Sequence, residues 1–344
     1  MSKSKRPQFP FAAIVGQEQM KTALLLNVID PGIGGVLIKG EKGTAKSTAV
    51  RSLSQILPEV KHVKGCIYHC DPAHSKALCP DCTEMAGSGI EINYERSPMR
   101  VVELPLSATE DRIAGTLDIE HILQTGKKRF EPGVLAQANG NLLYVDEVNL
   151  LEDHMVDLLL DAAAMGINYV EREGISFEHP SRFILVGSMN PEEGDLRPQL
   201  LDRFGLCVGI KGEKDTAVRT EIVSRRLDFD ADPEGFTKSY ADATRKIRDD
   251  VLEARKNLPN VVASKNLLTM AANVSLHFEM EGHRADITMI RAAKAHAALY
   301  GRNDPDKEDL ATVAPMVLNH RIKRKPFEDT KFDMGELRKC LLEY

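Results

Sequence analysis

Residues 40 to 47 read Gly-Glu-Lys-Gly-Thr-Ala-Lys-Ser, which combines two glycines with a lysine and a hydroxyl. They follow a short apolar run and open a helical stretch, the context that separates a phosphate-binding loop from a chance match. Backbone N–H groups at a helix N-terminus attract the dense negative charge of a triphosphate. We therefore predict that Lys46 reaches the β- and γ-phosphates of ATP and that the Ser47 hydroxyl binds Mg²⁺. The predicted nucleotide contacts of this loop are Gly40, Glu41, Lys42, Gly43, Thr44, Ala45, Lys46, Ser47 and Thr48.

One position departs from the usual loop. The residue before the lysine is expected to be glycine, but here it is Ala45. If that position requires a positive φ, the Cβ costs about 1 kcal/mol of strain, which weakens the loop without destroying it. The alternative to a nucleotide site is a glycine turn that carries a surface lysine.

Two carboxylates follow the apolar run Leu-Leu-Tyr-Val at 142–145. A buried parallel strand would deliver Asp146 and Glu147 at its C-terminal end, where ligands bind in open α/β sheets. Asp146 is predicted to hold Mg²⁺ through its water shell, and Glu147 to orient or deprotonate the attacking water. The alternative is a pair of exposed acids at a helix start, which the helix dipole favours.

Polar and basic residues further along the chain could complete a hydrolytic site. Asn190 ends another apolar run and is predicted to position water against the γ-phosphate, although asparagine before proline is also common in turns. Arg203 follows a helical turn; supplied across a subunit boundary, it would stabilise transition-state charge, and its alternative is a structural pair with aspartate. Arg284 and Arg291 are seven residues apart, so they share one helix face and both could point at the nucleotide. The alternative for one of them is an ion pair.

Four of the six cysteines are close together in the sequence, namely Cys66, Cys70, Cys79 and Cys82. Soft thiolates at this spacing suit tetrahedral Zn²⁺, and a four-cysteine iron–sulfur cluster is a second interpretation. A structural zinc ion is favoured, because closed four-thiolate sites are usually structural and this one would stabilise a polar loop. His69 and His74 are substitute ligands. Redox-responsive thiols and unligated cysteines stay open as further alternatives.

A layered α/β domain is needed to bring these residues together. Three apolar runs, at 34–40, 141–151 and 182–190, have the length and β-branched content of buried parallel strands, and helical stretches separate them. Before the first run, apolar residues recur at helical spacing; they are Met20, Ala23, Leu24 and Val28. From about residue 240 onward the periodicity is only helical.

The domain organisation follows from these patterns. We predict a three-layer α/β domain with a parallel sheet over 1–225 and a smaller all-helical domain over 240–344. Residues 226–239 are rich in Asp, Pro and Gly and are predicted to be a linker. Strand-like flanks around Arg-Glu-Gly predict a hairpin at about 167–179, and residues 116–135 are interpreted as a second insertion.

Composition limits the partners and the compartment. The chain has 344 residues, 42% of them hydrophobic and 28% charged, with a net charge of −6. Net acidity argues against general affinity for nucleic acid, which usually needs a basic face. The N-terminus has no apolar stretch behind its charges, and no apolar run approaches the ~20 residues that a membrane span needs. We therefore expect a cytoplasmic protein that does not enter a membrane.

Longer segments resemble one known family. The resemblance lies in 9–31, 102–120, 130–163, 170–205 and 282–299, and it includes the strings ATEDR, LLYVDEVNLL and LRPQLLDRFG. Together these segments resemble the I subunit of magnesium chelatase and its cobaltochelatase counterpart, which are AAA+ ATPases of the P-loop type. The resemblance extends over roughly residues 8–325.

The family resemblance implies roles for individual residues. It implies that Lys46 and Ser47 bind phosphate and Mg²⁺ and that Asp146 and Glu147 are the Walker B pair. Asn190 is implied to be sensor 1, and Arg203 the arginine finger. Arg284 is the first candidate for sensor 2, and Arg291 is the second. It also implies that 116–135 is a helix-2 insert and that 167–179 is a pre-sensor-1 hairpin, both facing the pore or partner subunits. The implied assembly is a hexameric ring with a related D-type subunit. ATP hydrolysis in this ring drives insertion of Mg or Co by a large tetrapyrrole-binding subunit.

Two other functions use the same motifs. A MoxR-like AAA+ chaperone would remodel or metallate a partner protein, and neighbouring genes would distinguish it from a chelatase. An MCM-like nucleic-acid motor shares the paired insertions. Net acidity and the lack of interleaved basic and aromatic residues disfavour that motor.

Overall fold

The structure, a computed structural model, describes residues 7–73, 78–89, 92–117, 130–172, 175–322 and 332–342. Strands and helices are interspersed as far as residue 210, and the elements described after it are helices. The strands are β1 (Val36–Gly40), β2 (Glu59–Val63), β3 (Tyr94–Pro98), β4 (Val101–Leu104), β5 (Gly115–Leu117), β6 (Phe130–Pro132), β7 (Leu142–Val145), β8 (Ile167–Arg172), β9 (Ile175–Pro180), β10 (Ile184–Met189) and β11 (Leu206–Ile210). The helices are α1 (Glu18–Ile29), α2 (Lys46–Ser52), α3 (Pro80–Gly87), α4 (Glu110–Ala114), α5 (Val134–Ala138), α6 (Asp153–Met165), α7 (Pro198–Arg203), α8 (Thr216–Ala231), α9 (Pro233–Ser239), α10 (Ala241–Asn257), α11 (Lys265–His277), α12 (Arg284–Leu299), α13 (Lys307–Leu318) and α14 (Met334–Leu342).

Five parallel strands build the central sheet in the order β11-β1-β10-β7-β4. Successive residues of a strand face opposite sides of a sheet. Leu37 and Leu143 accordingly pack into one hydrophobic core, whereas Val36 and Tyr144 pack into the other. The three apolar runs predicted as buried parallel strands are β1, β7 and β10, which confirms that prediction. The edge strands β4 and β11 were not predicted.

Helices cover both faces of this sheet. α1 and α2 share a hydrophobic core with one face, and α5, α6 and α7 share a core with the other. Helical spacing predicted α1, and the four residues that define the spacing, Met20, Ala23, Leu24 and Val28, are all buried. The predicted three-layer α/β fold is therefore confirmed, as is the helical nature of the C-terminal part.

The segment 226–239, predicted as a linker, is helical rather than irregular. It spans the end of α8 and all of α9. The carboxylate of Asp232 accepts a hydrogen bond from the N–H of Gly235 at 2.9 Å, and Pro233 occupies the first position of α9. Aspartate at an N-cap and proline just inside a helix are both favourable, so these residue types start a helix here.

The C-terminal helices dock on the side of the sheet that α1 covers. α12 packs against α1, and α13 packs against β11. The carboxylate of Asp202, at the end of α7, binds two arginines from this part of the chain: Arg284 Nη1 at 2.8 Å and Arg321 Nε at 3.0 Å. The Arg321 side chain is only 4% exposed and also donates to the carbonyl oxygens of Phe204 and Gly205. The C-terminal part of the chain is therefore bound to the end of α7 by ion pairs and hydrogen bonds.

Two antiparallel strand pairs accompany the sheet. β8 and β9 pair along their whole length, at the place where the sequence predicts a hairpin, and the turn at 173–174 lies outside the described residues. β5 pairs with β6 and flanks the second predicted insertion, of which residues 118–129 lie outside the described residues. Among the described helices, none combines the length and apolar character that crossing a membrane requires.

Candidate nucleotide-binding site

The glycine-rich loop lies between β1 and α2. Glycine is needed at Gly40, because a Cβ there would come within 2.7 Å of the carbonyl oxygen of Ile210. Ala45 has φ 62° and ψ 18°, so it adopts the left-handed conformation under which the sequence predicts strain. Lys46 and Ser47 begin α2, and their N–H groups belong to the first turn, which carries the positive end of the helix dipole.

Replacing Ala45 with glycine is expected to raise the free energy of unfolding by roughly 0.5–1 kcal/mol. The relief of left-handed strain exceeds the extra freedom that glycine gives the unfolded chain. Denaturant titration of Ala45→Gly beside the unchanged protein measures the difference. Ala49→Gly in the same helix is the matched control; it should lower stability, because Ala49 is buried and helical. Equal losses in both variants would contradict strain at Ala45.

Asp146 is held by hydroxyl groups at the end of β7. Ser47 Oγ donates to Asp146 Oδ2 at 3.2 Å, Tyr144 donates to Oδ1 at 2.7 Å, and Ser188 also donates to Oδ1. Burial alone would raise the pKa of Asp146, but the hydrogen bonds from Ser188, Tyr144 and Ser47 outweigh it and lower that pKa. Asp146 is therefore ionised at neutral pH and oriented by its neighbours.

Lys46 lies beside this carboxylate. Its Nζ donates to the carbonyl oxygens of Glu41 at 3.1 Å and Met189 at 3.4 Å. Burial lowers the pKa of Lys46, and the charges of Asp146 and Glu147 oppose the shift. The lysine therefore lies where the glycine-rich loop meets the ends of β1 and β10.

Glu147 and Asn190 end neighbouring strands. Glu147 has φ 51°, and its backbone N–H donates to Ser188 Oγ at 3.3 Å. Asn190 is 3% exposed, and its side-chain oxygen accepts from the N–H of Glu192 at 3.3 Å. The structure thus places both predicted water-handling side chains at the same edge as Asp146, as the ends of adjacent parallel strands require.

These residues line one cleft of about 600 Å³, a size that suits a small ligand such as a nucleotide. The predicted site residues in its lining are Lys42, Gly43, Thr44, Ala45, Lys46, Ser47, Thr48, Asp146, Glu147 and Asn190. Predicted contacts Gly40 and Glu41 precede this lining in the loop. Lys42 is exposed and pairs with Glu193 at 2.5 Å, and its hydrogen bond to Glu193 raises the pKa of Lys42.

α8 lines part of the cleft, and its residues were not predicted from the sequence. The residues it contributes are Arg219, Ile222, Val223, Arg225 and Arg226. Arg225 also donates to the carbonyl oxygen of Ala13, which ties α8 to the segment before α1. The spacing of Arg219 and Arg226, seven residues apart on one helix face, was the available signal. Without the fold, arginines on a polar helix are indistinguishable from a solvated surface.

Arg203 lies at the end of α7 and outside the lining of this cleft. Its Nη1 pairs with Asp157 at 3.0 Å and with Asp161 at 2.8 Å, both on α6, and the side chain is 34% exposed. This geometry is compatible with both interpretations of Arg203, a structural ion pair and an arginine that acts on a neighbouring subunit. The arginine forms a structural pair with aspartate, and it is absent from the cleft lining of its own subunit.

Arg284 and Arg291 lie outside the lining of the cleft in this chain, so their predicted contact with a nucleotide stays a prediction. Arg284 pairs with Asp202, and Arg291 Nη1 donates to the carbonyl oxygen of Gly32 at 2.5 Å. Both arginines lie on α12, which packs against α1 on the face of the sheet that α1 covers. The shared helix face was predicted correctly, but its orientation depends on how the C-terminal helices dock.

The four clustered cysteines converge in space. The four sulfurs of Cys66, Cys70, Cys79 and Cys82 lie within 4.8 Å of one another, and all but the first of these residues are buried. Burial raises the pKa of Cys82, and the nearby Cys66 sulfur adds to that shift. His69 is outside this group of sulfurs and has φ 47°, and His74 lies outside the described residues.

Comparison with known proteins first defines the class. A family model described as an AAA domain of the dynein-related subfamily matches residues 90–204. A second, described as an AAA lid domain, matches residues 268–340. The cleft described above lies on the AAA fold, and the chain is an AAA-type ATPase.

Relatives then define the family. The magnesium-chelatase subunit ChlI homolog of Methanocaldococcus jannaschii is 51% identical over 98% of this chain and 91% of its own length. The magnesium-chelatase 38 kDa subunit of Acidiphilium rubrum is 50% identical over 94% of this chain and 93% of its own. One solved structure, based on cryo-electron microscopy, is the complex between subunits BchI and BchD of magnesium chelatase. A chain of that complex is 46% identical to this one and has a TM-score of 0.54. The match covers 98% of this chain and 100% of that one. The chain belongs to the family of magnesium-chelatase ChlI subunits, which favours the chelatase interpretation over the chaperone.

Proposed function

We propose that this chain hydrolyses ATP in the cleft between its glycine-rich loop and the end of β7. The observation that carries the proposal is the 3.2 Å separation of Ser47 Oγ and Asp146 Oδ2, in a cleft that Glu147 and Asn190 also line. A hydroxyl and an ionised carboxylate are hard oxygen ligands, so this donor set fits Mg²⁺. When bound, Mg²⁺ neutralises charge that develops on the phosphates.

The residues around the cleft have separate roles in binding and hydrolysing ATP. Lys46 binds the β- and γ-phosphates, and the N–H groups at the start of α2 bind the remaining phosphate oxygens. Glu147 orients the attacking water or accepts its proton, and Asn190 positions the same water. Arg203 stabilises transition-state charge on a nucleotide bound by the neighbouring subunit. Arg284, which pairs with Asp202, the residue before Arg203, is proposed to face that same neighbouring site.

The ATPase works in this proposal as one subunit of a hexameric ring. A D-type subunit and a large tetrapyrrole-binding subunit are its partners, and hydrolysis drives insertion of Mg or Co by the large subunit. Support comes from the names of the relatives and from the similarity to a chain of the complex between BchI and BchD. The absence of Arg203 from the described lining of its own cleft also favours an assembly.

The four clustered cysteines are proposed to bind a structural metal ion, with Zn²⁺ favoured over an iron–sulfur cluster. The protein is proposed to act in the cytoplasm. In a reducing compartment, closely spaced cysteines are more often metal ligands than disulfides, which agrees with this assignment.

Nucleotide-dependent assembly tests this function. Sedimentation velocity of the full chain should show a ring with ATP and Mg²⁺ and a smaller species without nucleotide. Lys46→Ala should lose ATP binding and assembly together, whereas Lys256→Ala, a lysine of α10 outside the cleft lining, should keep both. Co-purification from the native cell should recover the D-type and large subunits. Monomers at every ATP concentration would contradict the ring, and no ATP binding at millimolar concentrations would contradict the ATPase site.

A further inference from the structure

The cysteines form the centre of a separate hydrophobic core. This core contains Cys70, Cys79 and Cys82 together with Tyr68 and apolar residues of other elements, namely Val63, Ala114, Phe130, Ala136 and Val170. The members come from β2 and the loop after it, α3, α4, β6, α5 and β8, so the cluster links segments that are distant in sequence. Whatever holds the sulfurs together therefore holds these segments together.

We propose that Cys66, Cys70, Cys79 and Cys82 hold one tetrahedral Zn²⁺ ion and that this ion fixes the β8–β9 hairpin. This inference rests on the structural-metal part of the proposed function and does not depend on ATP hydrolysis. Four sulfurs at about 2.3 Å from one ion, at the corners of a tetrahedron, lie about 3.8 Å apart. The sulfurs of Cys66 and Cys79 are 3.8 Å apart, and all four lie within 4.8 Å of one another.

The same distances disfavour the other interpretations of the sequence. A disulfide brings two sulfurs to about 2.0 Å, about half of the distance between Cys66 and Cys79. A four-iron cluster binds each thiolate to a different iron, so it spreads the sulfurs farther apart than a single ion does. The backbone N–H of Cys79 donates to the sulfur of Cys70 at 3.1 Å, which stabilises thiolate charge. Cys82 lies in the first turn of α3, where the helix dipole also favours a thiolate.

Tyr68 connects the metal site to the hairpin. It lies between Cys66 and Cys70 in the sequence, so two ligands determine its position. The ring centroid of Tyr68 lies 5.0 Å from that of His179 and 5.9 Å from that of Phe177, both on β9. These ring contacts are the reason to expect that the hairpin loosens when the ion leaves.

Buried hydrogen bonds complete this connection. Asn139 Nδ2 donates to the carbonyl oxygens of Tyr68 at 2.8 Å and His69 at 3.1 Å, which anchors the loop to the end of α5. His179 Nδ1 donates to the carbonyl oxygen of Pro180, so its Nε2 accepts from Asn168 Nδ2 at 3.0 Å on β8. The loop is thus held on one side by hydrogen bonds from the Asn139 side chain and on the other by aromatic packing against β9.

Metal content of the full chain tests the identity of the ion. Protein purified without air and without chelators should contain one equivalent of zinc and no visible absorption. Replacement by Co²⁺ should give the intense absorption of tetrahedral cobalt thiolate. Cys79→Ala and Cys82→Ala should each lose the ion, whereas Cys207→Ala, a buried cysteine of β11, should keep it. Iron, with or without labile sulfide, or a metal-free protein would overturn the zinc assignment.

Hydrogen exchange tests the connection without a mutation. Removing zinc from the wild-type protein with a chelator should speed exchange of the β8 and β9 amides by about an order of magnitude or more, because the local unfolding free energy falls. Amides of β1 and β10 and the affinity for an ATP analogue should stay unchanged. Unchanged exchange in β8 and β9 after zinc loss would overturn the hairpin connection. Because ATP binding is measured separately, failure of this inference and failure of the ATPase proposal are distinguishable.

Discussion

Replacing Arg203 with alanine is expected to lower the rate of ATP turnover by about 10³-fold or more, with little change in ATP affinity. The side chain lies outside the lining of its own cleft and pairs with Asp157 and Asp161, so nucleotide binding in the same subunit does not need it. Its contribution arises only when a neighbour presents transition-state charge. Steady-state hydrolysis and analogue binding, measured on the same preparation, separate the two effects.

Mixed rings provide the sharper form of this test. Arg203→Ala subunits keep an intact cleft, whereas Glu147→Gln subunits bind ATP, enter the ring and keep an intact arginine. Mixing two inactive preparations should therefore restore part of the turnover. Arg245→Ala, which removes an exposed arginine paired with Asp242, should be indistinguishable from the unchanged protein. If mixing restores no hydrolysis, the arginine does not act across the subunit boundary.

The Glu147→Gln variant is expected to bind ATP and Mg²⁺ with normal affinity but to hydrolyse ATP about 10²–10⁴-fold more slowly. Glutamine keeps the size and hydrogen-bonding capacity of the side chain, but it cannot accept a proton from water. A single-turnover experiment with a filter-binding control distinguishes lost chemistry from lost binding.

A nearby carboxylate supplies the control for this variant. Glu152 is 72% exposed and lies outside the cleft lining, so Glu152→Gln should retain full turnover. Near-normal hydrolysis by Glu147→Gln would remove Glu147 from the catalytic role. The Asp146–Ser47 contact would then remain as a nucleotide and Mg²⁺ site without an assigned base.

The parts of the site that the sequence predicts are those that local structure determines. A glycine-rich turn between a buried strand and a helix positions Lys46 and Ser47 by itself, and adjacent parallel strands bring Asp146 and Asn190 to one edge. The strain at Ala45 was predictable for the same reason, because a single backbone dihedral decides it. These residues needed no knowledge of how distant elements dock.

The remaining features depend on tertiary structure, and the sequence could not specify them. Arg284 and Arg291 share a helix face as predicted, but the docking of α12 behind the sheet determines what that face meets. Asp232 was interpreted as part of a linker because capping residues and loop residues have the same composition. The cysteines left zinc and iron–sulfur open, since spacing along the chain does not give the distances between sulfurs.

The position of Asp202 has a mechanical consequence for a ring. One carboxylate is shared by Arg284 of α12 and by Arg321, which follows α13, and the next residue along the chain is Arg203. The guanidinium of Arg203 pairs with Asp157 and Asp161 on α6, so movement of the C-terminal helices would act on the backbone beside Arg203 through Asp202. In the proposed ring, such a movement would load the ion pairs that position Arg203, so the rate of hydrolysis in the neighbouring subunit would depend on the rigidity of this joint.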